Sequence, residues 1–355
     1  MKTIPMRSAL ALPLLLAAQV AQADTDSTET EILAQGYRAD AHGPAGTMAV
    51  HVHKRGDLMI GVMWMHEDYG GSNQSGTAPV SDQQIADAGF AAKTDRMSMD
   101  MAMFHLMYAP SDRVTLMLAS SWMRMDMTMK GLPASTVAPP LAHAGHAMLP
   151  GETMGHSVAG IGDTQFGALV SLSRRPQLSV HAGLMVSAPT GDAARKGSDG
   201  NYLHYMMQGG SGTWDLIPSL TLRGGGADFG WGAQTSYVFR AEKKNAAGFR
   251  FGDRFTATAW LSKPLSQRLS LSGRLAWSDE GPIKGHYNAA HSHASPPDRQ
   301  ANYGGQRLEG GLGFSTVVGE RLRIGGEVSV PLYQDLNGIQ LPKRWGASLG
   351  AGVMF

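Results

Sequence analysis

The 355-residue chain contains no cysteine, which excludes a disulfide framework, a thiolate metal centre and a cysteine nucleophile. Neither sign of charge is in excess. The 30 basic and 29 acidic residues nearly cancel, and so leave no electrostatic footprint for nucleic acid. No stretch beyond the first twenty residues approaches the ~18 apolar residues of a membrane-spanning helix. Catalytic signatures are also missing: there is no G-x-S-x-G elbow, no H-E-x-x-H, no phosphate-binding glycine loop and no dinucleotide fingerprint. The reading is therefore of a non-enzyme that requires no cofactor.

The two ends of the chain carry address-like features. Lys2 and Arg7 precede the apolar stretch Ala9–Val20, and Ala21-Gln22-Ala23 follows; this is the order of a secretory signal peptide with an A-x-A cleavage site. Residues 1–23 are read as that signal, 24–57 as a periplasmic or lumenal N-terminal segment, and 58–355 as the folded body. The last strand-like stretch places Leu349, Ala351, Val353 and Phe355 on one face. A terminal aromatic on such a strand resembles the feature of bacterial outer-membrane barrels that engages the barrel-assembly machinery, which is the expected protein partner.

Between the ends, about twelve stretches alternate apolar and polar or small residues, each near the ~9–11 residues of a tilted membrane strand. The expected spans are 58–67, 96–108, 113–127, 162–173, 178–188, 213–223, 229–240, 252–262, 268–278, 307–317, 321–331 and 344–355. Connections take turns between short (110–112, 174–177, 224–228, 263–267, 318–320) and long (68–95, 128–161, 189–212, 241–251, 279–306, 332–343). Ordered alternation of this kind predicts an all-β fold: a transmembrane antiparallel β-barrel in a Gram-negative outer membrane, with short periplasmic turns, long extracellular loops and lipid around it. A soluble sandwich also alternates, but does not predict two classes of loop length.

Methionine is the most uneven feature. Of 22 methionines, sixteen lie between Met48 and Met154. In 96–108 the odd positions are Met97, Met99, Met101, Met103, His105 and Met107, whereas Phe104, Leu106 and Tyr108 fall on the even ones. Neighbouring side chains on a strand point to opposite faces, so one face is hydrocarbon and aromatic and the other is a ladder of thioethers. The first strand adds Met63, Met65 and, at its outer end, His66; the third adds Met123, Met125, Met127 and Met129. The long loop above carries His143, His146, Met148, Met154 and His156, while His42, Met48, His51 and His53 precede the first strand at the periplasmic end. Thioether sulfur suits Cu(I) and Ag(I), and imidazole extends the range to Cu(II). Met63, Met65, His66, Met97, Met99, Met101, Met103, His105, Met123, Met125, Met127, Met129, His143, His146, Met148, Met154, His156, His51 and His53 are the expected metal ligands, with Cu(I) or Ag(I) as the bound or transported ion. The alternative is that methionine is an adaptable apolar lining for a channel that conducts small hydrophobic or aromatic compounds. A structural or surface-interaction barrel without an open pore is the third reading.

Several runs also resemble a known family. Thr47–Met59 is similar to the entry motif of Met/His-rich outer-membrane transporters related to the meta-pathway phenol-degradation outer-membrane proteins. Met99–Pro110 with Asp112–Met117 resembles their second hairpin, and Gly160–Asp163, Ser211–Pro218, Gly252–Phe255 and Pro331–Gly338 are further similarities. The resemblance implies an outer-membrane barrel with a channel or transport role and contributes no catalytic residue. The histidine-bearing loops at 141–156 and 286–293 depart from it, so an aromatic substrate is not carried over from the family.

Overall fold

A computed structural model describes residues 39, 42–137, 148–175, 178–198, 200–226 and 228–355. Among these, twelve antiparallel strands close into a barrel. The circle runs β1 (Leu58–Gly70), β4 (Ala92–Ser111), β5 (Val114–Gly131), a wall strand split into β6 (Thr153–Ile161) and β7 (Thr164–Arg174), then β8 (Ser179–Ala188) and β9 (Asp215–Gly225). It continues through β10 (Gly230–Arg240), β12 (Arg254–Pro264), β13 (Leu269–Glu280), β15 (Gly305–Val318), β16 (Leu322–Gln340) and β17 (Lys343–Met354). Pairing of β17 with β1, from Met59 opposite Met354 up to Trp64 opposite Leu349 and beyond, closes the circle. Closure leaves no unpaired strand edge, the condition for a sheet to stand in hydrocarbon.

The period of two decides which side chain meets lipid. Ile60, Val62, Trp64, Phe104, Leu106 and Tyr108 are exposed on the outside, whereas Met59, Met63 and Met107 on the alternate positions are buried inside. Phe104 is 60% exposed and Met107, three residues on, 2%. The expected separation of a hydrocarbon face from a thioether face is therefore observed.

The extracellular ends depart from expectation, because the strands rise further than the hydrophobic band. β4 spans 20 residues and β16 spans 19, so that β16 and β17 are joined across Leu341 and Pro342 alone. The expected long loop at 332–343 is in fact wall. The split at Gly162-Asp163 lets β5 pair with β6 above and β7 below, which places 153–161 in the wall rather than in the loop assigned to 128–161. Between β1 and β4 lie the short strands β2 (Gln74–Gly76) and β3 (Ala78–Pro79) and a helix α1 (Asp82–Asp87). The helix is opened by Ser81, which exchanges hydrogen bonds with Gln84 in a capping box, a Ser-x-x-Gln signal legible in the sequence. Two further short strands, β11 (Phe249–Arg250) and β14 (Lys284–Gly285), pair with each other in the extracellular loops.

Inside the barrel, Arg274 of β13 and Glu327 of β16 are both buried and paired across the strand between them. Arg274 Nε lies 2.9 and 3.0 Å from the two carboxylate oxygens, and Nη2 lies 2.5 Å from Oε1. Gly311 on the intervening β15 makes the bridge possible, since a side chain there would collide with the Glu327 carboxylate. Removal of one partner strands the other charge in a dry wall. Arg274→Met is accordingly expected to destabilise the refolded barrel by about 3–5 kcal/mol, and Arg274→Met with Glu327→Met to recover most of that loss. Guanidinium unfolding in lipid vesicles measures both, and equal stability of the single and double variants contradicts the pairing.

Candidate channel lumen

The inner wall of β1, β4, β5 and β6 is built in rows set by strand register. Glu67, Met99, Met125 and Val158 form one row; Met65, Met101, Met123 and Gly160 form the next towards the periplasm. Met63, Met103 and Ser121 follow, then Gly61, His105 and Ala119, then Met59, Met107 and Met117. Gly61 has a specific use here, because the His105 ring lies against it and any Cβ at that position would collide with the imidazole. The Nδ1 of His105 is buried and has no hydrogen-bond partner.

The rows separate into two apolar clusters with a more open stretch between them. The outer cluster holds Met97, Met125, Met127 and Met129 with Val158, packed against Met99, Met123, Met148 and the loop residues Leu203, Met206 and Met207. Two of its sulfurs already accept the Thr94 hydroxyl, Met129 Sδ at 3.6 Å and Met127 Sδ at 3.9 Å. The inner cluster joins Met59, Met107, Met117, Leu169 and Met185 to Met48, Ala49 and Val52 of the N-terminal segment. Half-buried Met65, Met101, Met103 and His105 line the intervening stretch. Across the barrel the wall is largely polar: Thr258 and Ser262 on β12, with Trp260 between them, and Ser270 and Arg274 on β13 are buried on the inner face.

Both ends of this lumen are filled. At the periplasmic end residues 42–57 are tied to the wall by hydrogen bonds. Gln234 donates to the carbonyl of Met48 (3.0 Å), His181 Nε2 to Ala49 (2.9 Å), Arg223 to Val50 (3.4 Å) and Arg174 to His53 (3.3 Å). The His53 amide in turn donates to the Thr115 hydroxyl (2.9 Å). Ala49 has a φ of +56°, a left-handed conformation that costs a non-glycine residue ~1–2 kcal/mol and is held here by those bonds to its carbonyl.

At the extracellular end an aromatic cap covers the outer cluster. Tyr202, Tyr287 and Tyr205 stack, with ring centroids 4.4 and 4.3 Å apart, and Phe249 meets Tyr205 edge-on at 4.8 Å. A 3-10 turn, Tyr205–Met207, turns Tyr205 into this aromatic group and Met207 into the thioether cluster. Sequence reasoning missed the cap. Its rings come from separate loops with no shared period, and the only local signal was the density of Tyr and Phe in loops that are otherwise Gly- and Ser-rich.

The expected metal ligands are thus scattered by the fold. Met63, Met65, Met97, Met99, Met101, Met103, His105, Met123, Met125, Met127 and Met129 do share the inner wall. Met154 is paired with Met129 and His156 with Met127 on β6. His66 does not belong with them and is corrected: it lies on the outer, even-numbered face between Trp64 and Trp345 and donates to Asp100 at 2.9 Å. Alternation demands this, since His66 shares its face with Trp64. His51 and His53 lie in the plug. His143 and His146 fall outside the described residues. Among the described residues no three His, Asp or Glu side chains already surround a common point. The most buried sulfurs pack in an apolar cluster, and two of them lie near the Thr94 hydroxyl; copper or silver handling finds no support in this arrangement.

The geometry defines a closed antiparallel β-barrel of the outer-membrane type, with a lumen that is thioether-lined on one side and largely polar on the other. By sequence, the chain belongs to the family described as "Putative MetA-pathway of phenol degradation", whose profile matches residues 117–305. No curated protein matches it. Among solved structures it is similar in fold to an outer membrane channel from Pseudomonas putida F1, at 12% identity and a TM-score of 0.56, covering 87% of this chain and 99% of that one. A Pseudomonas aeruginosa FadL homologue aligns at 12% identity and TM-score 0.41, covering 84% and 90%. The TodX monoaromatic hydrocarbon channel aligns at 9% identity and TM-score 0.39, covering 89% and 92%. These last two likenesses are too distant to carry an argument.

One ion pair clasps the cap. His204 Nδ1 lies 2.6 Å from Asp298 Oδ1, and both side chains are nearly buried. Burial alone pushes the His204 pKa down, but the charge and hydrogen bond of Asp298 more than reverse it, so it lies above the ordinary value. Burial raises Asp298, and His204 and Ser295 overcome that to leave it below the usual carboxylate range. The contribution of His204 is fully present below its unfolded pKa of about 6.5 and is lost as pH rises through the raised folded value. Alkaline pH is therefore expected to loosen residues 189–214 and 281–304, read as amide protection factors there, relative to the intrinsic exchange rate at each pH, that fall below their values at pH 6. Asp298→Asn is expected to exchange fast at both pH values; an unchanged pH response in that variant counts against the clasp.

Proposed function

We propose that this chain is a passive, non-catalytic channel for small hydrophobic or aromatic solutes that carry a polar group. The observation that supports this reading is the two-sided chamber. Met65, Met101 and Met103 present a greasy, deformable surface; Thr258, Ser262 and Ser270 stand on the far wall, and Glu327 of the Arg274–Glu327 pair lies two strands from Met65 in the same row, against Gly46 of the plug. Thioether sulfur makes favourable contacts with aromatic edges, worth roughly 0.3–1.5 kcal/mol each. Unbranched methionines also adapt to different ring shapes without a fixed pocket.

The two clusters that flank the chamber extend the apolar surface towards both mouths. A solute with an apolar body passes from the aromatic cap to the thioether wall without crossing an aqueous gap. Its hydroxyl or carboxyl is carried along the opposite polar wall. The family's description, which refers to phenol degradation, agrees with this solute class. Passage requires the cap and the plug to yield in turn, since each closes one end at rest.

The test is uptake of a radiolabelled monohydroxylated aromatic by cells whose outer membrane carries this protein as its main channel. Replacement of Met97, Met99, Met101 and Met103 by Leu keeps the lining apolar, and uptake is expected to stay within about twofold. Met101→Gln with Met103→Gln buries amide groups in the path and is expected to slow uptake about tenfold, a desolvation cost near 1.4 kcal/mol. Loss of uptake in the four-Leu variant, accompanied by loss of saturable Cu(I) binding, overturns this reading in favour of a soft-metal pathway.

A further inference from the structure

Three imidazoles in the plug have no role in the channel reading. His51 and His53 are two apart in an extended segment, so their rings project to the same side, and their Nε2 atoms stand 3.1 Å apart. The His42 ring lies on His51, with centroids 4.0 Å apart. Both ring nitrogens of His42 and the Nδ1 of His51 are shut off from solvent with no hydrogen-bond partner. Buried polar atoms are ordinarily satisfied, and the two orphaned nitrogens of His42, beside the paired Nε2 atoms of His51 and His53, mark a place where a partner is missing from the protein's own atoms.

We propose that His51 and His53, completed by His42, bind a divalent transition ion of borderline softness, of the Cu(II) or Zn(II) class, in the periplasmic end of the barrel. Two nitrogens 3.1 Å apart, each placed ~2.05 Å from one ion, subtend an angle of roughly 100°, between the square-planar and tetrahedral values. The pair is a preformed chelate. His42 stacks on it instead of pointing into the gap, and a rotation of its ring supplies the third nitrogen.

Surrounding groups fit that role. Asp57 Oδ2 lies 4.0 Å from His53 Nδ1, too far for a hydrogen bond, and supplies a nearby negative charge that favours a bound cation. Metal ligands must be neutral imidazoles. Burial, and then the charges of Arg323 and Arg223, holds His42 well below its usual pKa; burial with His42 and His53 does the same for His51. Burial also lowers His53 to about 4 against the opposing pull of Asp57. The two arginines oppose added positive charge, which favours a site of modest affinity. This site is distinct from the thioether wall in position and in ligand type, and it stands whether or not that wall conducts aromatic solutes.

The experiment is a titration of the refolded full-length protein in detergent with Cu(II), followed by electron paramagnetic resonance. The expected result is one saturable equivalent with hyperfine splitting from at least two imidazole nitrogens. His51→Gln with His53→Gln is expected to weaken binding by about 100-fold or more and His42→Gln by about tenfold, magnitudes typical of lost metal ligands and their supports. All variants are first shown to be folded by their heat-modifiable gel mobility. A third variant, His286→Gln with His291→Gln and His293→Gln in an extracellular loop, is expected to bind as the parent does. Retained stoichiometric binding in the His51/His53 variant overturns the proposal. So does loss of binding in the extracellular-loop variant, or no saturable equivalent in the parent.

Discussion

The hydrogen-bonded seam between β17 and β1 is the constraint on which the rest of the molecule depends. A sheet in hydrocarbon cannot leave backbone amides or carbonyls unpaired, and pairing of the last strand with the first removes both edges together. Once the sheet is closed, every strand residue faces either lipid or lumen, and a period of two assigns it without further choice. A one-residue slip at the seam would turn the thioether ladder to lipid and Trp64, Phe104 and Leu106 to the interior. Register and function are thus one question in this fold.

Because the outer face must be apolar, the usual logic of a protein core is inverted, and cohesion inside the barrel has to come from other sources. Two are present. One is charge paired across strands, as in Arg274–Glu327 and in Lys343, which bridges Glu67 at 2.8 Å and Glu309 at 3.0 Å. The other is a pair of small apolar cores, each made half by the wall and half by a segment that folds inward. The inner one is completed by Met48, Ala49 and Val52 of the plug, and the outer one by Leu203, Met206 and Met207 of a loop. Methionine suits such surfaces, since it packs well against an irregular partner and still tolerates its departure.

The strands were legible in the sequence because alternation and turn residues are local. β9, from Asp215, and β13, from Leu269, begin within two residues of the expected positions 213 and 268. The upper ends were not legible, since β4 and β16 continue as wall above the lipid, where no apolar face is required and the hydrophobic period fades. The inward direction of Met97 to Met129 followed from alternation alone. The same rule places His66 outside with Trp64, away from the thioether face. What no local rule reveals is the cap. Tyr205, Phe249 and Tyr287 stand far apart in the chain, and loop closure rather than periodicity brings them together.

The distribution of methionine also bears on what the lumen is for. A ligand ladder for a soft ion requires sulfurs with open positions at successive heights and little competing contact. Here Met125, Met127 and Met129 are buried to 3% or less against carbon and a hydroxyl, whereas the partly open sulfurs, Met65, Met101 and Met103, stand in the chamber between the two closures. That pattern is the one expected of a surface whose value lies in being apolar and compliant. Imidazoles, by contrast, are gathered in the plug, where the Nε2 atoms of His51 and His53 stand 3.1 Å apart and the surrounding wall supplies the hydrogen bonds that fix the segment carrying them. Apolar contact and paired imidazoles therefore occupy different heights of the barrel, the thioethers in the wall above and His51 and His53 in the plug below.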